Sequence, residues 1–243
     1  MPKSFAAPLT ALALLLAPAA AAAQTPEALQ IAVMQDDPAA IDRAIRAGAD
    51  PRALGPHGSP LAIAAMSGKA RAVRALLDHG ADPAAPGPNG DNALGSAFFA
   101  MNGVALLGRD EAPDPARRAQ ALEVLRLVAA RKIGLDTPIR VGPSTFTPLM
   151  LAAEAGALDV TQILLDAGAN PNATNSGRYT PIDYAVDRPP SWAALPQGRR
   201  TDIVRALLAK GARLDRAGAD GVTPLARARR AGNPEIVALL EGR

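Results

Sequence analysis

The sequence predicts an all-α solenoid of about six helix–turn–helix repeats with short β-hairpin turns, interrupted by two inter-helix insertions and preceded by a signal peptide. Three observations predict it. The pair Thr147-Pro148 returns 33 residues later as Thr180-Pro181, and a fixed period of this length is the signature of stacked helical hairpins. A Gly-Ala step, often followed by Asp, closes successive apolar stretches at Gly48-Ala49-Asp50, Gly80-Ala81-Asp82, Gly168-Ala169 and Gly211-Ala212. Apolar residues make up 49% of the chain but aromatic ones only 3%, so the core is expected to consist of small aliphatic side chains at close helix–helix contacts.

Residues 1–23 carry the pattern of a secretory leader: Lys3, an apolar run from Leu9 to Leu16, and small residues from Ala19 to Ala23. Cleavage is expected after Ala23. The run is short and Pro18 interrupts it, which argues against a retained membrane anchor. With the Ala/Arg/Pro bias, this reads as an exported bacterial protein of the periplasm, and residues 24–243 as its repeat domain. The chain has no cysteine, which excludes disulfides, thiolate metal sites and thiol catalysis. Charge is uneven. Residues 24–177 balance to −3 and residues 178–243 to +5, so the C-terminal part could steer an acidic partner.

Repeat one, about 27–58, is expected to pair a helix holding Ala28, Leu29, Ile31, Ala32 and Val33 with one opened by Pro38, whose Ile41, Ala44 and Ile45 face inward. Asp37 is its N-cap. The polar Glu27, Gln30, Gln35 and Asp36 suit the wet face of an N-terminal cap. Repeat two, 59–91, begins at Ser59-Pro60-Leu61, breaks at Gly68 and continues through Val73, Leu76 and Leu77. Repeat three, 92–146, begins at Asn92-Ala93-Leu94, holds Phe98 and Phe99, and resumes through Leu122, Val124, Leu125 and Val128, with an insertion near 101–121 between its helices. Repeat four, 147–179, is the most regular: Thr147 caps, Pro148 takes the first helical position, Gly156 breaks, and Val160, Ile163, Leu164 and Leu165 lead to Gly168 as left-handed C-cap. Repeat five, 180–222, carries a second insertion near 187–198 that holds the only tryptophan, Trp192. Repeat six, 223–243, has Arg227, Arg229 and Arg230 in its first helix, where a C-terminal cap would present a charged outer face.

The run Thr147 to Asn170, with Thr-Pro-Leu, a glycine break, an apolar helix and a closing Gly-Ala, resembles the ankyrin repeat. The resemblance implies that partner contacts come from hairpin tips and the exposed side of the first helices. Here those positions are Arg52, His57, Asn89, Arg140, Asn172, Arg178, Tyr179 and Arg216 at the tips, with Met66, Phe99 and Glu154 on the concave side, and Trp192 in the second insertion. The chain departs from the family where its motif has histidine: Ala62, Gly95, Met150, Asp183 and Ala226 stand there instead. In the family that histidine bridges neighbouring repeats, so apolar packing is expected to be the main inter-repeat interaction here.

Nothing in the pattern points to catalysis, a metal or a cofactor. His57 and His79 have no carboxylate or third ligand spaced around them, and Ser59 lacks a nucleophile-elbow setting. The expected function is a non-enzymatic, monomeric protein–protein interaction scaffold whose partner is an exported enzyme, an envelope component or a toxin, with no nucleic acid involved. The alternative is an enzyme or small-ligand-binding protein with its site in the two insertions, around Asp110, Glu111, Asp114 and Trp192.

Overall fold

The computed structural model describes residues 26–102, 115–187 and 197–242. These residues form twelve helices and one short hairpin: α1 (Pro26–Met34), α2 (Pro38–Arg46), α3 (Pro60–Met66), α4 (Ala70–Asp78), α5 (Ala93–Asn102), α6 (Pro115–Ala129), β1 (Ile139–Val141), β2 (Ser144–Phe146), α7 (Pro148–Glu154), α8 (Leu158–Ala167), α9 (Pro181–Val186), α10 (Gln197–Ala209), α11 (Pro224–Ala231) and α12 (Pro234–Glu241). The expected leader lies outside the described residues.

Short-range chemistry sets most helix starts. Ser59, Thr147 and Thr223 each accept the N–H three residues on, from Ala62, Met150 and Ala226, and each is followed by proline at the first helical position. Asp37 caps α2 through Ala39 and Ala40. Gly168 ends α8 in the left-handed region, at φ 105°. In repeat one the equivalent break is Asp36 rather than glycine. It sits at φ 53°, and its Oδ1 accepts the Ala72 N–H of the next repeat at 2.7 Å. Asp tolerates this conformation better than most side chains.

The helices pack in two rows. First helices (α1, α3, α5, α7, α9, α11) follow one another in one row, and second helices (α2, α4, α6, α8, α10, α12) in the other. One continuous core runs between them, with Leu61, Leu94, Leu149 and Ile182 from the first row meeting Val73, Leu76, Val124, Leu125, Leu164, Ile203 and Leu207 from the second. Each of these is buried.

Three expectations need correction and a fourth needs an addition. First, the insertion placed over 101–121 is partly helix: α6 begins at Pro115, so its opening turns fall inside the expected loop. The rest of that insertion, 103–114, and residues 188–196 of the second lie outside the described residues. Second, the N-terminal repeat is not uniformly wet, because Ile31 is 57% and Met34 48% exposed. Third, the Arg227 side chain is only 12% exposed, so it does not belong to a charged outer face. Fourth, polar contacts join the apolar packing expected at the joints where the motif histidine is missing. Arg52 Nε donates to the Gly80 carbonyl, Asn172 Nδ2 to the Gly211 carbonyl, and the Asn170 N–H to Asp136, all across repeats. At Thr180, Asp183 stands where the histidine would, and its Oδ2 accepts both the Thr180 N–H and hydroxyl at 2.8 Å.

Candidate functional site

The second-helix row binds mainly to itself. His79 Nε2 meets Asp42 Oδ1 at 2.5 Å between α2 and α4. Arg74–Glu123 and Arg131–Asp78 join α4 to α6, Arg118–Asp159 joins α6 to α8, Lys210–Asp166 joins α8 to α10, and Arg205–Glu235 joins α10 to α12. So four of the five joints of this row carry an ion pair, and the first carries the His79–Asp42 hydrogen bond. The His79 pair corrects the sequence reading: stacking brings a carboxylate to this ring that residue spacing did not reveal. Among the described residues no group of three or more potential ligands could hold a metal ion.

The opposite face, formed by first helices and turn tips, divides into two parts. At repeats one and two it is apolar and open. A recess of about 470 Å³ lies between α1 and the turn at 50–58, lined by Leu29, Val33, Leu54, His57 and Ile63 among others. A second, of about 790 Å³, shares Glu27, Gln30, His57 and Ile63 with it and adds Ile31, Met34, Met66 and Pro88. Leu54 is 60% exposed. The sequence held a signal for this surface. Ile31 and Met34 are three apart on α1, so they share a side away from the buried Leu29, Ala32 and Val33.

At repeats four to six the same face is ionic and closed. Arg227 bonds Asp220 at 2.7 Å and Asp187 at 3.3 Å, lies 3.6 Å from Asp183, and stacks over the Tyr179 ring. Tyr179 also meets Tyr184 edge-on, and Tyr184 meets Phe146. Buried Arg200 donates to four backbone carbonyls, those of Tyr184, Ala185 and Asp187 at the end of α9 and of Glu154 at the end of α7. Repeats two, four and six turn at Gly68, Gly156 and Gly232 after their first helices, whereas the carbonyls at the end of α9 are met by this guanidinium. Burial raises the carboxyls of Asp183 and Glu154 above their ordinary range, against the pull of Arg227 and Arg200, and pushes the Tyr184 phenol up to about 12.

The structure scatters the sequence-predicted contact residues. His57 and Met66 come together at the apolar recesses. Arg52 and Asn172 are committed to carbonyls of neighbouring repeats, and Asn172 Oδ1 also accepts the Arg213 N–H. Tyr179 is committed to Arg227, and Phe99 packs against the core. Glu154 is half-buried beside Arg200. Asn89, Arg140, Arg178 and Arg216 are exposed at separate tips, and Trp192 lies outside the described residues. Arg178 adopts φ 61° at the tip position, two residues before the helix cap, that Gly90 and Gly221 fill in other repeats. Sequence reasoning missed Ile31, Met34 and Leu54 as surface, and Asp183, Arg200 and Arg227 as a buried network.

Two family models match this chain: "Ankyrin repeats (many copies)" over residues 138–185 and "Ankyrin repeat" over residues 58–87. In solved structures, an ankyrin repeat domain from Acinetobacter baumannii superposes with a TM-score of 0.68 and 27% identity, covering 88% of this chain and 95% of that one. This chain is an ankyrin-repeat protein. A chain in the structure of a predatory endopeptidase from Bdellovibrio bacteriovorus in complex with an immunity protein shares the ankyrin fold at 21% identity and a TM-score of 0.61, covering 90% of this chain and 99% of that one. Among curated proteins it is 33% identical over 131 residues to mouse ankyrin repeat domain-containing protein 63. That match spans 54% of this ankyrin-repeat chain and 30% of the mouse protein. A worm ankyrin repeat and KH domain-containing protein, mask-1 of Caenorhabditis elegans, matches at 32% over 122 residues, 49% of this chain and 4% of its own length. Ankyrin repeats are protein–protein interaction domains and are in general non-enzymatic.

Proposed function

We propose that this ankyrin-repeat protein is an exported, non-enzymatic scaffold of the bacterial periplasm that holds a protein partner against its first-helix face. The observation that carries this reading is the contrast between the two rows. Ion pairs or side-chain hydrogen bonds cross every joint of the second-helix row, whereas the first-helix face at repeats one and two exposes Ile31, Met34, Leu54 and Met66 around two adjoining recesses. A contiguous apolar patch on a folded surface marks an interaction site. The leader pattern supports export, and its sorting is tested by fractionating cells that express a tagged chain. Crosslinked capture from the periplasm, with the wild type and an Ile31→Ser, Met66→Ser variant side by side, tests the surface. A partner retained by the wild type and lost from the variant is the expected result. A partner retained equally by both would move the binding surface elsewhere on the solenoid.

A further inference from the structure

We propose that the open recesses at repeats one and two take one class of occupant: an apolar segment of a partner protein, helical or extended, flanked by lysine or arginine. This rests on the interaction reading above and adds the chemistry of what is bound. The apolar part follows from the lining. Leu29, Val33, Leu54 and Ile63 make the narrower recess, and Ile31, Met34 and Met66 make the wider one. Two methionines at the rim fit this use, because the thioether side chain adapts its shape to an incoming apolar group.

The basic part follows from charge. Glu27 lines both recesses and Asp50 lines one, and among the described residues no lysine or arginine lines either. The other polar groups there include Gln30, Gln35 and Ser67, which are uncharged. The wider recess also lies at the carboxyl ends of α1 and α3, beside Met34, Gln35, Met66 and Ser67. Carbonyl groups at helix C-termini give a partial negative charge that favours a nearby cation. Most arginines of repeats one and two are held elsewhere: Arg52 holds the Gly80 carbonyl, Arg43 and Arg46 pair with Asp37 and Asp42, Arg74 pairs with Glu123, and Arg71 lines a separate recess with Asp42 and His79. A segment carrying basic residues therefore gains over an acidic one of the same apolar pattern.

The test uses the full chain and two fluorescein-labelled amphipathic peptides, one of leucine and lysine and one with glutamate in place of each lysine, followed by anisotropy. The expected result is that the leucine–lysine peptide binds about tenfold or more tighter than the leucine–glutamate peptide. Ile31→Ser with Met66→Ser should weaken both, and Glu27→Lys with Asp50→Asn should reduce or reverse the preference. These positions are exposed, and an unchanged circular dichroism melt certifies that each variant is folded. Equal binding of both peptides, or a preference unmoved by the charge variant, overturns the basic-partner assignment while leaving the interaction surface standing. Binding of neither peptide, with sedimentation showing a dimer that Ile31→Ser dissolves, overturns it in favour of a second copy as occupant. Binding of neither with no dimer also overturns it, and the scaffold reading then depends on the capture experiment alone.

Discussion

At the N-terminal end of the first-helix face, Ile31, Met34 and Leu54 lie open around shallow recesses. At the C-terminal end, Arg227 and Arg200 fill the equivalent ground with guanidinium groups bonded to carboxylates and carbonyls. Both regions are built from the same kind of helix pair. They differ in whether the side chains facing away from the core find partners within the chain. Where they do, the face is part of the scaffold. Where they do not, it is available to another molecule.

The sharpest way to break this comparison is to remove Arg227. Arg227→Met strands Asp183 among buried groups and takes an ion-pair partner from Asp187 and Asp220, and loss of one member of a buried ion pair costs about 3–5 kcal/mol. Ile31→Ser, on the open end, should change stability by no more than about 0.5 kcal/mol. Urea melts of the two variants measure the difference, and equal losses would erase the distinction. The Arg227→Met deficit has a definite pH dependence. Burial raises the Asp183 carboxyl, so its contribution to stability is present below its ordinary value and is lost as pH rises through the raised one. Asp220 runs the other way in the wild type. Burial opposes it, but the Arg227 hydrogen bond holds its pKa low, so the Arg227 benefit is present above the ordinary value and lost as pH falls. Both act in the same sense on the variant: its deficit is largest at neutral pH and shrinks on acidification. A deficit that grew toward low pH would contradict this.

Core truncation at either of two joints should be nearly as severe. Leu164→Ala and Leu207→Ala each empty a fully buried site between the rows and should cost about 2–5 kcal/mol. Denaturant melts showing under about 1 kcal/mol for both would contradict the core described above.

A smaller effect, of opposite sign, tests the tips. Arg178 holds a left-handed backbone that costs an L-residue about 1–2 kcal/mol, at a position where two other repeats have glycine. Arg178→Gly should therefore raise the melting temperature, and an unchanged or lowered one would show that the tip is not strained. The smallest effect belongs to the second-helix row. A double-mutant cycle on Arg74 and Glu123, both well exposed, should give a coupling energy under about 1 kcal/mol.

Much of this was legible in the sequence because it is local. Ser59, Thr147 and Thr223 cap helices three residues away, and Gly168 turns the chain where it stands, so reading along the chain suffices. The network at the C-terminal end was not legible, because its members lie far apart. Arg200 reaches Glu154 over 46 positions and Arg227 reaches Asp187 over 40, and only stacking of the repeats brings them together. Arg227 reads as a surface residue in sequence because its partners cannot be counted there. Ile31 reads as core for a related reason. Helical periodicity says which residues share a side, but a terminal repeat has no neighbour on one flank, and the pattern does not show which side is left uncovered.

The guanidinium of Arg200 grips the ends of two successive first helices, and that of Arg227 touches three separate segments beyond its own helix. A modular stack ordinarily comes apart unit by unit, since each module feels only the one beside it. Here the last three modules are stitched together and should open as a block, so amide hydrogens in α7, α9 and α11 should exchange in concert and more slowly than those of α1.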